Sequence, residues 1–384
     1  MELEQMQENS AQEQREKQCP DWLCALPICF ALLFLLWGIF HLGTPGSRND
    51  GVQNQLGLMD KYDMYITNQI SEALDGVLAI EKVYWLNDCD VIAPEPKRDS
   101  YGKTANPADM EPVLREAARL LNIETFVFST DRVLRPGSQI TWYLDETIFA
   151  VTWQEVKDGC VYTFSEVKIA HASQFRRFLA GDTYGYDKQF LTTQMSADVN
   201  AVVATSGDFY KYRSYGIVVY NGKAYRAEPN LDTCFIDDQG ELLLVKAREL
   251  KTMEEVQSYV DENNVRFSLS FGPVLIRDGV RCDPNGYLIG EITEKYPRAA
   301  LCQVEQLHYL MAVANSTPEY FNLPSIRTFA RRLEEMGVQT AYALDGGQTG
   351  VIVMDDQMIS PVQYGSQRQI SDIIYFSTAL PDGG

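Results

Sequence analysis

From Trp22 to Leu42 the chain reads WLCALPICFALLFLLWGIFHL, 21 residues without an Asp, Glu, Lys or Arg. A run of that length is long enough to cross a bilayer as a helix. Pro27 sits near its start, where a proline is better tolerated. A cleaved signal peptide would have a shorter apolar region and a small-residue cleavage site, and no A-x-A-like site comes after the run. The segment therefore reads as an uncleaved single-pass anchor. Arg15 and Lys17 precede it and Arg48 comes after it, a slight positive-inside bias. The simplest arrangement is a cell-membrane protein with residues 1–21 as a cytoplasmic tail, 22–42 in the membrane and the main domain extracytoplasmic.

Beyond the anchor the chain divides by composition. Residues 43–57 form a Gly-rich polar linker. Residues 58–145 read as a small membrane-proximal α/β region, with amphipathic helices over 60–74 and from Pro107 to Leu121 and a strand in ETFVFST. Residues 146–384 read as an α+β domain built on a mixed sheet, with many short strands and a few helices. Asn221-Gly222 marks a hairpin, and Thr252 with Glu255 forms a capping box. SQFRRFLAG reads as a short helix with Ser173 as its N-cap. SIRTFARRLEEMG places Ile326, Phe329, Leu333 and Met336 on one face and stops at Gly337.

A formal net charge of −20 argues against a nucleic-acid partner, because the phosphate backbone would be repelled. Any anionic ligand needs a local cluster of Arg and Lys. The eight cysteines show no C-x-x-C pair, so neither a zinc site nor a disulfide framework is expected. With only three histidines, a His-rich metal site is excluded. The sequence carries no G-x-S-x-G, P-loop or G-x-G-x-x-G.

Three places set glycine at the end of an apolar strand: Ser206-Gly207-Asp208, Phe271-Gly272-Pro273 and Asp345-Gly346-Gly347. Bare backbone there can approach a ligand closely, and a carboxylate can act as base or nucleophile. Asp-Gly is equally a standard turn. Arg298 comes after Pro297 at the head of an apolar strand, where its guanidinium suits phosphate or simply faces solvent. His308 lies inside an apolar run, as a core residue or a site residue.

Six strings in order, SGDFY (206–210), YGIVVYNGKAYR (215–226), FGPVLIRDG (271–279), YPRAALCQ…LHYLMAVAN (296–315), LDGGQTGVIVM (344–354) and QRQISDIIYF (367–376), resemble the phosphodiester glycosidase family over about 148–378. Many bacterial members are envelope or exopolysaccharide-related proteins. The resemblance implies hydrolysis of a sugar-1-phosphodiester at the anomeric carbon, with a carbohydrate phosphodiester of an envelope polysaccharide or related glycan as substrate. The leaving phosphate is already acidic, so strong general-acid help matters less than in ordinary glycosides, where two carboxylates are usual.

Carried over residue by residue, the resemblance implies Asp345 as the carboxylate facing the developing oxocarbenium and Asp208 as its partner or base. His308 would orient an acid or reach the phosphate. Arg298 would hold the phosphate with help from Gly207, Gly346, Gly347, Gln348 and Thr349. No cofactor is expected, and a divalent cation at Asp345 and the oligomeric state are left open. Ser206 stands where the family has Asn, Asn315-Ser316-Thr317 replaces Asp-Gly-Arg, and Gln348 replaces a glycine. Those departures support an alternative: a glycan- or phosphate-binding envelope protein on the same fold, without catalysis.

Overall fold

The computed structural model describes residues 92–379 apart from 209, 285–286 and 288–293. The expected tail, anchor, linker and the 60–74 helix lie outside the described residues. Among the described residues no helix is long and apolar enough to cross a membrane.

In chain order, β1 (Tyr101–Thr104) and α1 (Glu111–Leu121) precede a meander of β2 (Ile140–Leu144), β3 (Ile148–Lys157) and β4 (Cys160–Ile169). Next come β5 (Phe175–Leu179), α2 (Thr192–Asp198) and β6 (Val203–Ser206). The hairpins β7 (Gly216–Tyr220)/β8 (Lys223–Glu228) and β9 (Thr233–Asp237)/β10 (Leu242–Val245) lead to α3 (Met253–Glu262) and β11 (Val265–Leu269). β12 (Val274–Arg277), β13 (Val280–Arg281), β14 (Arg298–Glu305) and β15 (His308–Asn315) precede α4 (Ile326–Glu335). The last strands are β16 (Thr340–Leu344), β17 (Ile352–Met354), β18 (Gln357–Met358) and β19 (Asp372–Phe376).

A nine-stranded sheet in the order β1-β2-β3-β4-β15-β14-β16-β12-β13 forms the centre. A five-stranded sheet, β18-β17-β6-β19-β5, and a three-stranded one, β10-β9-β11, pack with it, and β7-β8 form a separate ribbon. Every described strand pairing is antiparallel. The sheets therefore differ from the mixed sheet expected: hairpins such as β3/β4 and β14/β15 are antiparallel by their short turns, and the neighbours brought together from distant parts of the chain, such as β4/β15 and β14/β16, also run antiparallel.

The boundary expected at 145 also falls differently. β2 pairs with β3 across it, Leu144 opposite Phe149, so β1, α1 and β2 are the edge of the central sheet and not a separate region. Residues of α1 (Met110 at its cap, Leu114, Ala117, Leu121) share one core with Trp153 and Phe164.

The central strands are apolar on both faces, as sheets covered on both sides require. Along β15, Leu310, Ala312 and Ala314 face α1 and α4, while Tyr309, Met311 and Val313 face the smaller sheets. The period-2 alternation of strand side chains sets this division. Alanines at 300, 312, 314, 341 and 343 line the helix side, where α4 packs through Phe329 and Leu333.

Local signals match their elements. Asn221 and Gly222, both at positive φ (50° and 70°), turn β7 into β8. Thr252 and Glu255 form the reciprocal capping box of α3. Gly337, at φ 79°, lies just past α4. Two segments differ. SQFRRFLAG is a one-turn 3-10 helix, Ala172–Gln174, that leads into β5, because Arg176 and Arg177 are buried and not on a solvent-facing helix. ETFVFST forms no strand, because the Val127 and Phe128 N–H groups donate to the Glu166 carboxylate, at 2.8 and 2.7 Å, instead of to a neighbouring chain.

Candidate active site

β14 and β16 run side by side with Ala299 opposite Leu344, so Arg298 and Asp345 emerge at the same end of adjacent strands. The segment before β12 lies against that end: Gly272 N–H donates to the Ala343 carbonyl and Ala343 N–H to the Pro273 carbonyl, at 3.1 and 3.0 Å. These elements wall a cleft of about 210 Å³. Asp345 and Gly346 line it with Arg213, Arg298 and Arg368. Phe271, Tyr296 and Tyr364 supply aromatic surface, and Gln348 closes one side.

Asp345 Oδ2 accepts from Thr349 Oγ1 at 2.7 Å and from Arg368 Nη2 at 3.2 Å. Burial raises the Asp345 carboxyl to about 6. The Thr349 hydrogen bond and the guanidiniums of Arg368 and Arg213 oppose that rise, and the charge of Asp208 adds to it. The Thr349 hydroxyl also lies 2.5 Å from the Gly346 carbonyl, so its single proton is shared between the two acceptors. Thr349 is buried and orients the carboxylate.

The glycines after Asp345 serve close backbone packing. A Cβ on Gly346 would collide with the Pro297 carbonyl oxygen. Gly347 takes φ 69° and donates its N–H to that same oxygen at 3.4 Å. Its N–H is therefore directed at Pro297 and not at a phosphate, a correction to the expected role. Gly346→Ala is accordingly predicted to lose stability by about 2–4 kcal/mol and to disrupt the cleft. The urea midpoint checks this, and an unchanged midpoint would contradict the close packing.

Arg298 is buried and donates from Nη2 to the Glu294 carbonyl at 2.7 Å, with its guanidinium 5.9 Å from the Tyr296 ring centre. Arg213 lies 4.2 Å from the Phe271 ring centre and Arg368 5.6 Å from that of Tyr212, positions that suit cation–π contact. Neither Arg213 nor Arg368 was among the residues expected from sequence. Both sit in loops with no periodic pattern, although Arg368 lies within one of the six strings.

Asp208 lies behind the cleft wall and does not line it. Its Oδ1 accepts from Arg177 Nη2 (3.0 Å) and Tyr210 N–H (2.8 Å), and its Oδ2 from Ser270 N–H (2.8 Å). Arg177 also binds Asp372 Oδ2, at 2.8 Å from Nη2 and 3.0 Å from Nε. Burial alone would lower the Arg177 pKa, but the two carboxylates hold it above its ordinary value. Gly207 belongs to this cluster: Asp372 Oδ2 fills the space a Cβ would need, and the Gly207 N–H donates to the Asp372 carbonyl. It faces the ion cluster and not the cleft.

His308 is not at the cleft. It lies at the opposite end of β15 from Ala314, the partner of Arg298, about 20 Å away at roughly 3.3 Å per residue. Its Nε2 lies 2.7 Å from Glu166 Oε1, and both side chains are fully buried. Asn315 Nδ2 donates to the Gly350 and Pro361 carbonyls, at 2.8 Å each, and so holds the loop after Thr349 in place. Among the described residues no group of three or more His, Cys, Asp or Glu is placed to hold a metal ion.

No curated protein matches the chain in sequence. Several solved structures resemble it in part, two of which follow. A hypothetical protein from Synechocystis aligns with a TM-score of 0.47 and 13% identity over 60% of this chain, which spans 62% of that protein. The catalytic domain of zebrafish N-acetylglucosamine-1-phosphodiester alpha-N-acetylglucosaminidase, auto-inhibited by its pro-peptide, aligns with a TM-score of 0.49 and 14% identity, over 68% of this chain and 92% of that one. Residues 199–377, which contain Asp345 and all three cleft arginines, match the sequence profile of the phosphodiester glycosidase family.

Proposed function

We propose that this domain hydrolyses a sugar-1-phosphodiester, breaking the bond between the anomeric carbon and the bridging phosphate oxygen. The observation that carries the reading is the convergence of one carboxylate, Asp345, and three guanidiniums, Arg213, Arg298 and Arg368, on one cleft. In a chain of net charge −20, that cluster is the local reversal an anionic substrate requires. Water adds to the anomeric carbon while the leaving oxygen keeps the bonding electron pair. The products are a free sugar and a phosphate monoester. Ionised Asp345 faces the positive charge developing on the ring and takes up the proton of the attacking water. The arginines stabilise the departing phosphate, and Phe271, Tyr296 and Tyr364 offer surfaces for the sugar. Asp208 supports this arrangement from behind by holding the Ser270 N–H, next to the Phe271–Pro273 wall. The uncharged run at 22–42 supports anchoring in a cell membrane, with an envelope polysaccharide or related glycan as the substrate.

A second reading, binding without turnover, draws on one observation. Asp345 is the only carboxylate lining the cleft among the described residues, and Gln348 stands where the family pattern has glycine.

The two readings separate on a panel of α-linked sugar-1-phosphodiesters given to the detergent-solubilised full chain. Free sugar is expected, with kcat/KM about 10²-fold lower in Arg298→Gln, since removing one preorganised donor to a developing charge commonly costs that much. Binding without any sugar release across the panel would overturn the hydrolase reading in favour of the second.

A further inference from the structure

Between Val362, buried in a small valine cluster with Val351 and Val353, and Ile370, bridged to Phe190, the chain crosses the rim of the cleft. The crossing contains Tyr364 and Gly365, both at positive φ (60° and 75°), and it carries Arg368. Two hydrogen bonds fasten it to the turn after Asp345, and both use Gln348. Arg368 N–H donates to the Gln348 carbonyl at 3.1 Å, and Gln348 Nε2 donates to the Ser366 carbonyl at 3.3 Å. This brace places Arg368 Nη2 3.2 Å from Asp345 Oδ2.

We propose that Arg368, braced by Gln348, is a positioning residue that keeps Asp345 charged and aimed into the cleft, so that the 363–368 crossing is a working part of the site. The inference rests on the hydrolase reading for its meaning in turnover, but the contact itself does not depend on it.

Other groups act on the same carboxylate. Arg213 and Arg298 line the cleft, Thr349 donates to Oδ2, and Asp208 opposes ionisation from behind the wall. Arg368 is the cation with a direct ion pair to Asp345. Its side chain is 43% exposed against 15% for Asp345, so its effect is moderated by solvent. Gln348 is thus assigned a purpose that a glycine at that position would lack: its side chain ties the crossing to the catalytic turn.

The test is the pH profile of kcat/KM for the full chain, wild type against Arg368→Gln, Arg368→Lys and Gln348→Gly. In Arg368→Gln the acid limb is expected to move up by about one pH unit, since a neighbouring opposite charge commonly lowers a carboxyl by that much or more. Arg368→Lys is expected to restore most of the shift. Gln348→Gly is expected to move the limb in the same direction by less, because Arg368 is retained but less well held. An unmoved limb in Arg368→Gln, with kcat lowered evenly at all pH, would overturn the proposal. Titration of Asp345 by NMR in protein carrying carboxyl-labelled aspartate, with Asp345→Asn for assignment, reads the same shift without turnover. No release of sugar by the wild type together with a shifted Asp345 titration would overturn the hydrolase reading and leave the ion pair standing. An unshifted titration overturns the pairing whatever the activity.

Discussion

Asp345→Asn is expected to lower kcat/KM by about 10²–10⁴-fold, the usual contribution of a positioned proton-transfer group, while leaving the folded protein at least as stable as its parent. The two effects have one origin. Burial raises the Asp345 carboxyl from 3.8 to about 6, so the folded chain binds this proton more tightly than the unfolded chain does. Its contribution to stability is fully present below the unfolded value of about 3.9 and is lost as pH rises through about 6. At neutral pH the folded chain therefore holds an ionised carboxylate at a cost of up to about 3 kcal/mol. Asparagine removes the charge and keeps an acceptor for Thr349. A rise in the melting midpoint of a few degrees at pH 7, shrinking toward pH 5, is the expected signature. In the wild type, kcat/KM should fall about tenfold per pH unit below 6, as protonation empties the reactive form. Retained activity in Asp345→Asn would remove Asp345 from the chemistry. A midpoint lowered by many degrees would show instead that the carboxylate holds the fold together.

That opposition between stability and function also explains which residues could be read in advance. Asp345, Gly346 and Arg298 sit at strand ends, where an apolar alternation stops abruptly at a polar or bare position; that local pattern fits a plain turn or a solvent-facing arginine equally well, and the family resemblance is what singles them out. The β7–β8 hairpin and the caps of α3 and α4 were legible, since their signals lie within a few residues of each other. Contacts between distant parts of the chain were not. Arg176 and Arg177 fall in SQFRRFLAG, which reads locally as a short helix. In the fold Arg177 is buried in β5 against Asp208 and Asp372, 31 and 195 residues away. His308, in an apolar run, was open to reading as a core residue or a site residue, and what decides it is its partner Glu166, which arrives from β4, 142 residues away. The same Glu166 accepts the N–H groups of Val127 and Phe128, which is why an apolar string with strand composition forms none. Arg213 and Arg368 complete the charge of the cleft from loops, where no pattern marks them.

The largest stability effect is expected at Arg177. The guanidinium and both carboxylates, Asp208 and Asp372, have side chains no more than 1% exposed. Arg177→Met would leave two carboxyl groups facing each other without a cation, and breaking a buried ion cluster from one side costs about 3–5 kcal/mol. Arg177 also donates from Nη1 to the Ser268 carbonyl in β11, so the change further orphans a buried acceptor. A large fall in the urea midpoint is therefore predicted, and adding Asp372→Asn should recover part of it by removing one of the opposed charges. The loss should reach the cleft along two short paths. Asp208 Oδ2 holds Ser270 N–H, next to the Phe271–Pro273 wall, and Ser206 Oγ donates to the Asp345 carbonyl at 3.4 Å from the strand that leads into Asp208. Activity of Arg177→Met at low temperature, where it is still folded, should accordingly fall through a weaker KM more than through kcat. A midpoint within about 1 kcal/mol of the parent would mean that the two carboxyl groups adjust to the lost cation without strain. The cluster would then be incidental to the fold.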